Sequence, residues 1–198
     1  ALADRLDTLV GIFGINQAPT GEKDPFGLRR AAIGILRILI DNRLNVDLEQ
    51  LLTEAATGYP QLANQNVVAE TLEFCFERLR SWYIDKGISA DAFASVLARK
   101  PTSPLDFDHR IKAIHFFQQL PDAQALAAAN KRVVNILKQT PLPPHTHFNY
   151  ALLELPAEKT LADIIEQQSQ KVEELCRDFL YQDALTLLAT LRAPIDRF

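Results

Sequence analysis

Lys23-Asp24-Pro25-Phe26-Gly27-Leu28-Arg29-Arg30-Ala31-Ala32-Ile33-Gly34-Ile35-Leu36-Arg37-Ile38-Leu39-Ile40 combines a helix start signal, a helical apolar period and arginines in one run. Asp24 is placed to accept hydrogen bonds from the first free amides, and Pro25 suits the first helical position, where its missing N–H costs nothing. The spacing predicts a helix over 24–40. At 100° per residue, Arg30, Gly34, Arg37 and Asp41 share one narrow polar strip, while Ile33, Leu36 and Ile40 lie in the apolar sector. So apolar a helix has to be mostly buried, which requires other helices around it. Arg37 and Asp41 are four apart and positioned to pair. Arg29 falls on the line of Ile33, Leu36 and Ile40, and a guanidinium there needs a partner. The expected partner is a carboxylate of the first helix, Asp4 or Asp7.

Outward from this run the same period recurs. Residues 1–13 place Leu2, Leu6, Leu9, Val10 and Phe13 on one helical face, with Asp4, Arg5 and Asp7 on the other. The connection over 14–24 is long enough to be a functional loop. Asp47 opens a helix through 56 with Leu48, Leu51 and Leu52 inward, and Gly58-Tyr59-Pro60 ends it. One helix is expected over 66–86, with Val67, Thr71, Phe74, Cys75, Leu79, Trp82 and Tyr83 as its buried stripe and Gly87 as its stop. Ser89 caps 90–99, after which Lys100-Pro101-Thr102-Ser103-Pro104 is the clearest break, expected to be a domain boundary or hinge. Helices follow over 105–120, with Phe107, Ile111, Ile114 and Phe117 on one face, and over 122–139. Residues 140–148 hold Pro141, Pro143 and Pro144 and read as an irregular loop. Two more helices are expected from 157, the second running through Cys176, Phe179, Leu180, Ala184, Leu187, Leu188 and Leu191. No stretch alternates like a strand, so the fold is expected to be all-α: two helical-bundle units joined by a Pro-rich connector.

A net charge of −4 and a pI near 5.6 argue against a protein that grips nucleic acid through its bulk field, so any RNA contact has to be local. Cys75 and Cys176 lie far apart within helical patterns and read as buried reduced thiols. The longest apolar run is broken by Arg29, Arg30 and Arg37 and falls short of the roughly 18 residues of a membrane span. Asp4, Arg5 and Asp7 do not fit a signal peptide. Methionine is absent and the helical period is already running at Ala1, so a fragment of a longer protein is expected.

No nucleophile elbow, catalytic-cysteine signature, P-loop or dinucleotide fingerprint occurs, which removes support for independent catalysis and for a nucleotide site. His145-Thr146-His147 has only His109 and His115 as histidine company, on another helix, and neither cysteine follows zinc spacing; a solvent-exposed loop is expected and no metal site. Asn130-Lys131-Arg132 is more informative. With Leu126, Val133 and Leu137 as the inward line, Lys131, Asn135 and Lys138 gather on the opposite side. Such edges are commonly plain solvated surface, and their functional alternative is contact with RNA phosphates, which positions a backbone without reading bases. Tyr181-Gln182-Asp183 adds an aromatic able to stack on an unpaired base, although core and cap roles are commoner.

Taken together, Leu2-Ala3-Asp4-Arg5-Leu6-Asp7-Thr8-Leu9-Val10-Gly11-Ile12-Phe13 and Pro19-Thr20-Gly21-Glu22-Lys23-Asp24-Pro25-Phe26-Gly27-Leu28-Arg29-Arg30-Ala31-Ala32 strongly resemble the β subunit of bacterial glycyl-tRNA synthetase. Leu126-Ala127-Ala128-Ala129-Asn130-Lys131-Arg132-Val133-Val134-Asn135-Ile136-Leu137, Tyr181-Gln182-Asp183-Ala184-Leu185 and Ala193-Pro194-Ile195-Asp196-Arg197-Phe198 are similar to the same family in the same order. The last two would be weak alone.

The resemblance implies the C-terminal part of an HD-like helical domain over 1–100, a connector over 101–122 and a truncated helical anticodon-binding domain over 123–198. Ala3-Asp4-Arg5-Leu6 resembles the closing aspartate motif of HD phosphohydrolases, but the upstream histidine motifs are not in this sequence. By the same resemblance, ATP and magnesium serve glycine activation on a separate α subunit, this chain needs no cofactor of its own, and the partners are tRNA(Gly) and that α subunit in a cytoplasmic assembly of two α and two β. The candidate contacts for the RNA backbone are Lys131, Arg132 and Lys138, with Lys23, Arg29 and Arg30 as a second patch. The competing expectations are an HD-type metal phosphohydrolase remnant and a purely structural subunit-assembly module.

Overall fold

The computed structural model describes residues 1–121, 123–139 and 149–198. Asp122 and the expected proline loop with His145 and His147 lie outside the described residues. Among the described residues every regular element is helical, and the only β-type pairing is an isolated bridge between Thr20 and Lys23. The all-α expectation is met. The chain divides into two compact units, Ala1–Ile111 and Lys112–Phe198.

In the first unit, α1 (Leu2–Gly14), α2 (Leu28–Asp41), α3 (Leu48–Thr57) and α4 (Val67–Glu77) pack on one another, followed by α5 (Leu79–Ile84) and α6 (Ala90–Leu97). The α2 run starts later than its sequence suggests. Asp24 does cap it, but from four and five residues away, its two oxygens accepting Leu28 N–H at 2.8 Å and Arg29 N–H at 3.0 Å. Residues 24–27 form a turn closed by Gly27 N–H to the Asp24 carbonyl, and Gly27, at φ 67°, is the residue that precedes the helix. That left-handed backbone suits glycine. Pro25 therefore lies in the turn rather than at the first helical position. The buried line is Leu28, Ala32, Ile35, Leu36, Leu39 and Ile40, and Ile33 turns out to be exposed.

The expected helix over 66–86 is two helices meeting at Arg78, whose N–H bonds the Cys75 carbonyl three residues back at 3.0 Å. Phe76, missed by the sequence stripe, lies in the core, while Phe74 and Trp82 are half-buried. Asp47 and Ser89 cap α3 and α6 as expected, accepting from Gln50 N–H and Ala92 N–H. Gly87, at φ 84°, closes α5. The break at 100–104 is bonded to the start of α3: Thr102 Oγ1 donates to Asp47 Oδ2 at 2.6 Å, and Leu48 N–H donates to the Thr102 carbonyl at 2.9 Å.

α7 (Pro104–Gln118) contributes its first turns to the first unit. There Phe107 is fully buried, with ring centroids 5.5 Å from Phe76, 5.7 Å from Tyr83 and 5.3 Å from Phe93. Beside it the Tyr83 hydroxyl donates to the buried Asp108 carboxylate at 2.8 Å, and burial followed by that negative neighbour pushes the phenol far above its usual value.

The second unit holds the rest of α7, then α8 (Ala123–Gln139), a 3-10 turn at Tyr150–Leu152, α9 (Pro156–Arg177), α10 (Tyr181–Ala189) and α11 (Arg192–Arg197). Sequence periodicity joined Cys176 to Leu191 in one helix. In the structure α9 runs through Cys176 and stops at a left-handed turn, with Phe179 at φ 60° and Leu180 N–H bonded to the Leu175 carbonyl. Cys75 is buried as expected, whereas Cys176 is only half-buried, and both are free thiols.

Candidate nucleic-acid interface

The first cationic patch surrounds the start of α2. Partial burial works to raise the Asp24 carboxyl, but the Arg29 and Leu28 amides and the Arg29 and Arg30 charges outweigh it, holding the group below its ordinary value. Arg29 does not reach Asp4 or Asp7. Its Nη2 donates to the Gly21 carbonyl, tying the turn over 20–23 to the first turn of α2. Asp7 instead faces Tyr59, whose hydroxyl lies 3.0 Å from both the Asp7 carbonyl and Asp7 Oδ1 and is raised by burial and by that carboxylate. The α1 carboxylate that was expected to hold Arg29 is thus used between α1 and the α3–α4 connection. Lys23 and Arg30 are exposed, so of the second candidate patch two members face solvent and Arg29 is spent on the loop.

Arg30, Gly34, Arg37 and Asp41 do line one strip, with Arg37 Nε 3.7 Å from Asp41 Oδ2 in an exposed pair. The sequence reading missed that Arg5 of α1 belongs to it. A Cβ on Gly34 would overlap the Arg5 guanidinium, so this arginine lies across α2 in the space a side chain would take. The available signal was a glycine inside an otherwise charged helix face, which intrinsic propensity disfavours.

On α8, Lys131, Arg132 and Lys138 are all exposed, as both a solvated surface and a binding edge require. The expected inward line is not covered: Val133 and Leu137 are 43% and 47% exposed, and every residue from 130 to 139 is exposed. Ala123 and Ala129 are the buried positions of this helix. Tyr181 begins α10, half-buried, with its ring edge-on to Phe179 at 6.3 Å, a packing role at the α9–α10 turn. Asp4 is exposed and its carbonyl accepts the Thr8 hydroxyl. Among the described residues no group of three or more His, Cys, Asp or Glu is placed to hold a metal ion, and no helix is long and apolar enough to cross a membrane.

Residues 1–98 match the family model described as glycyl-tRNA synthetase beta subunit. Across its whole length the chain is 52% identical to the glycine–tRNA ligase beta subunit of Coxiella burnetii, strain RSA 493, and covers 29% of that protein. It is 51% identical to the beta subunit of Colwellia psychrerythraea and 49% to that of Salmonella schwarzengrund, again over all of this chain and 29% of each relative. The chain belongs to the glycyl-tRNA synthetase beta-subunit family. It spans less than a third of the length of these beta-subunit relatives. Within that family segment, the start of α2 exposes Lys23 and Arg30, and the second half of α8 exposes Lys131, Arg132 and Lys138.

Proposed function

We propose that this chain is a tRNA-recognition portion of the β subunit of glycine–tRNA ligase, supporting the ATP-dependent attachment of glycine to tRNA(Gly) by a separate α subunit in a cytoplasmic assembly of two α and two β chains. Within it, residues 1–100 form the end of an HD-like helical domain, 101–122 a connector and 123–198 part of a helical anticodon-binding domain. The observation that carries the reading is similarity to beta subunits at about half identity along the whole chain. The exposed half of α8 supports it, because Lys131, Arg132 and Lys138 project from a helix that its neighbours leave open. ATP and magnesium belong to the α subunit, and the chain's own residues offer no P-loop for the nucleotide. A hydrolase centred on Asp4 draws no support from its surroundings.

Filter binding of tRNA(Gly) to the assembled two-subunit enzyme tests this. Lys131→Ala is expected to weaken binding and to flatten its dependence on salt concentration by about one unit of logarithmic slope, because one phosphate contact and its released counterion are lost. An unchanged slope for Lys131→Ala, Arg132→Ala and Lys138→Ala would remove α8 from the interface.

A further inference from the structure

The contact between Arg5 and Gly34 is left unassigned by the tRNA reading. A glycine in a helix interior is less favourable than alanine, so its place in the middle of α2 calls for a compensating contact. The structure supplies one, since the Arg5 guanidinium fills the volume that any side chain at this position would occupy. Arg30, one turn earlier, folds its guanidinium back toward Gly27, and Arg37 follows three residues later on the same strip. At 1.5 Å rise per residue, the strip from the level of Gly27 to that of Arg37 is about 15 Å long.

Among the described residues Arg5 and Arg30 have neither an ion pair nor a side-chain hydrogen bond, although the Arg30 charge acts on Asp24, and the Arg37–Asp41 pair has both partners more than half exposed. Such an exposed pair gives way to a stronger anion at little cost. The guanidinium fork matches phosphate oxygens better than a lysine ammonium does. Carboxylates stand at both ends of this row, Asp24 near Arg30 and Asp41 beside Arg37, but its three guanidinium groups follow one helix face and suit a ligand whose charges repeat along a line. An acidic peptide carries its carboxylates on flexible stems without that regularity.

Resting on the reading that the chain recognises tRNA, we propose that Arg5, Arg30 and Arg37 form a three-guanidinium track for phosphates of the RNA backbone. Gly34 is the positioning residue that lets Arg5 complete the row. The track would explain how a chain with a net charge of −4 holds RNA, since the attraction is confined to a line rather than spread over the surface.

The test uses the assembled enzyme and tRNA(Gly), with filter binding over a salt series and a thermal melt of each variant. Arg5→Gln keeps the stem that packs on α2 and removes the charge. It is expected to weaken binding several-fold and flatten the salt slope by about one unit, with the melting temperature unchanged. Arg5→Lys is expected to keep the slope and lose part of the affinity. Gly34→Ala displaces the guanidinium and should weaken binding as Arg5→Gln does, and the double variant should be no weaker than either single one, because both act on one group. A lower melting temperature with an unchanged slope for Arg5→Gln would make Arg5 a clamp between α1 and α2 and overturn the track. If the α8 variants weaken binding while Arg5→Gln, Arg30→Gln and Arg37→Gln do not, the track falls and the tRNA reading stands. If neither set changes binding, both fall.

Discussion

Asp24 satisfies two free amides of α2 with one carboxylate, an oxygen to each, while Gly27 turns the chain so that both amides face it. Asp24→Ala removes both bonds and should cost about 1 to 2 kcal/mol in a urea melt, the upper part of the range for lost helix caps. The sign of its pH dependence follows from the lowered carboxyl. A group whose pKa is depressed on folding adds stability above its unfolded value, near pH 4, and loses it as pH falls through the folded value. The difference between wild type and Asp24→Ala should therefore be constant from pH 7 to about 5 and shrink toward pH 3. A constant difference at every pH would mean that the charge of the cap contributes nothing. Arg29 shows where reading single residues from sequence stops. Its need for a partner was legible from its angular position, but the partner is a backbone carbonyl of Gly21, and carbonyls carry no sequence signature.

Among the elements, α7 ties its neighbours through Phe107 and Asp108, which meet Phe76, Phe93 and Tyr83 from α4, α6 and α5. Tyr83→Phe keeps the ring and removes a donor to a buried carboxylate. It should cost about 1 to 3 kcal/mol, read as a lower urea midpoint with an unchanged slope. No loss of stability would show that the Asp108 carboxylate is satisfied without the phenol. Apart from the six-residue α11, which sequence periodicity did not separate, helix identity was readable from apolar period and caps, as Asp47 and Ser89 show. Two breaks were not. Arg78 keeps near-helical angles of −70° and −18°, so the period runs across it undisturbed although the bonding pattern changes. Phe179 takes a left-handed conformation that sequence leads one to expect of glycine or asparagine, so an aromatic there hid the end of α9. The basic edge of α8 was legible because exposed charge is a local property. The Arg5–Gly34 contact was not, because it joins residues distant in sequence through the absence of a side chain.

On the scale of the whole chain, the two units differ in how they are filled. The first buries large side chains completely, among them Leu9, Leu28, Ile35, Tyr83, Phe93 and Phe107. In the second the buried side chains among the described residues are small, namely Ala113, Ala123, Ala129, Ala184 and Pro194, and α9 buries none of its own. Hydrophobic stabilisation scales with apolar area removed from water, about 25 cal/mol per Å², so among the described residues the second unit gains less from its buried side chains than the first. Each unit carries one cysteine, and the two thiols report on them separately. Burial pushes the Cys75 thiol up to about 12, outweighing the Arg78 charge, so at pH 8 it is both shielded and protonated and reacts only when the first unit opens. Cys176 is half-buried and needs only the second unit to loosen. Brief alkylation of the 198-residue chain across a urea series, read by mass spectrometry of the two cysteine peptides, should label Cys176 at lower urea than Cys75. Labelling of both at one midpoint would show a single cooperative transition, and the weaker core of the second unit would then have to be supported by contacts other than its own buried side chains.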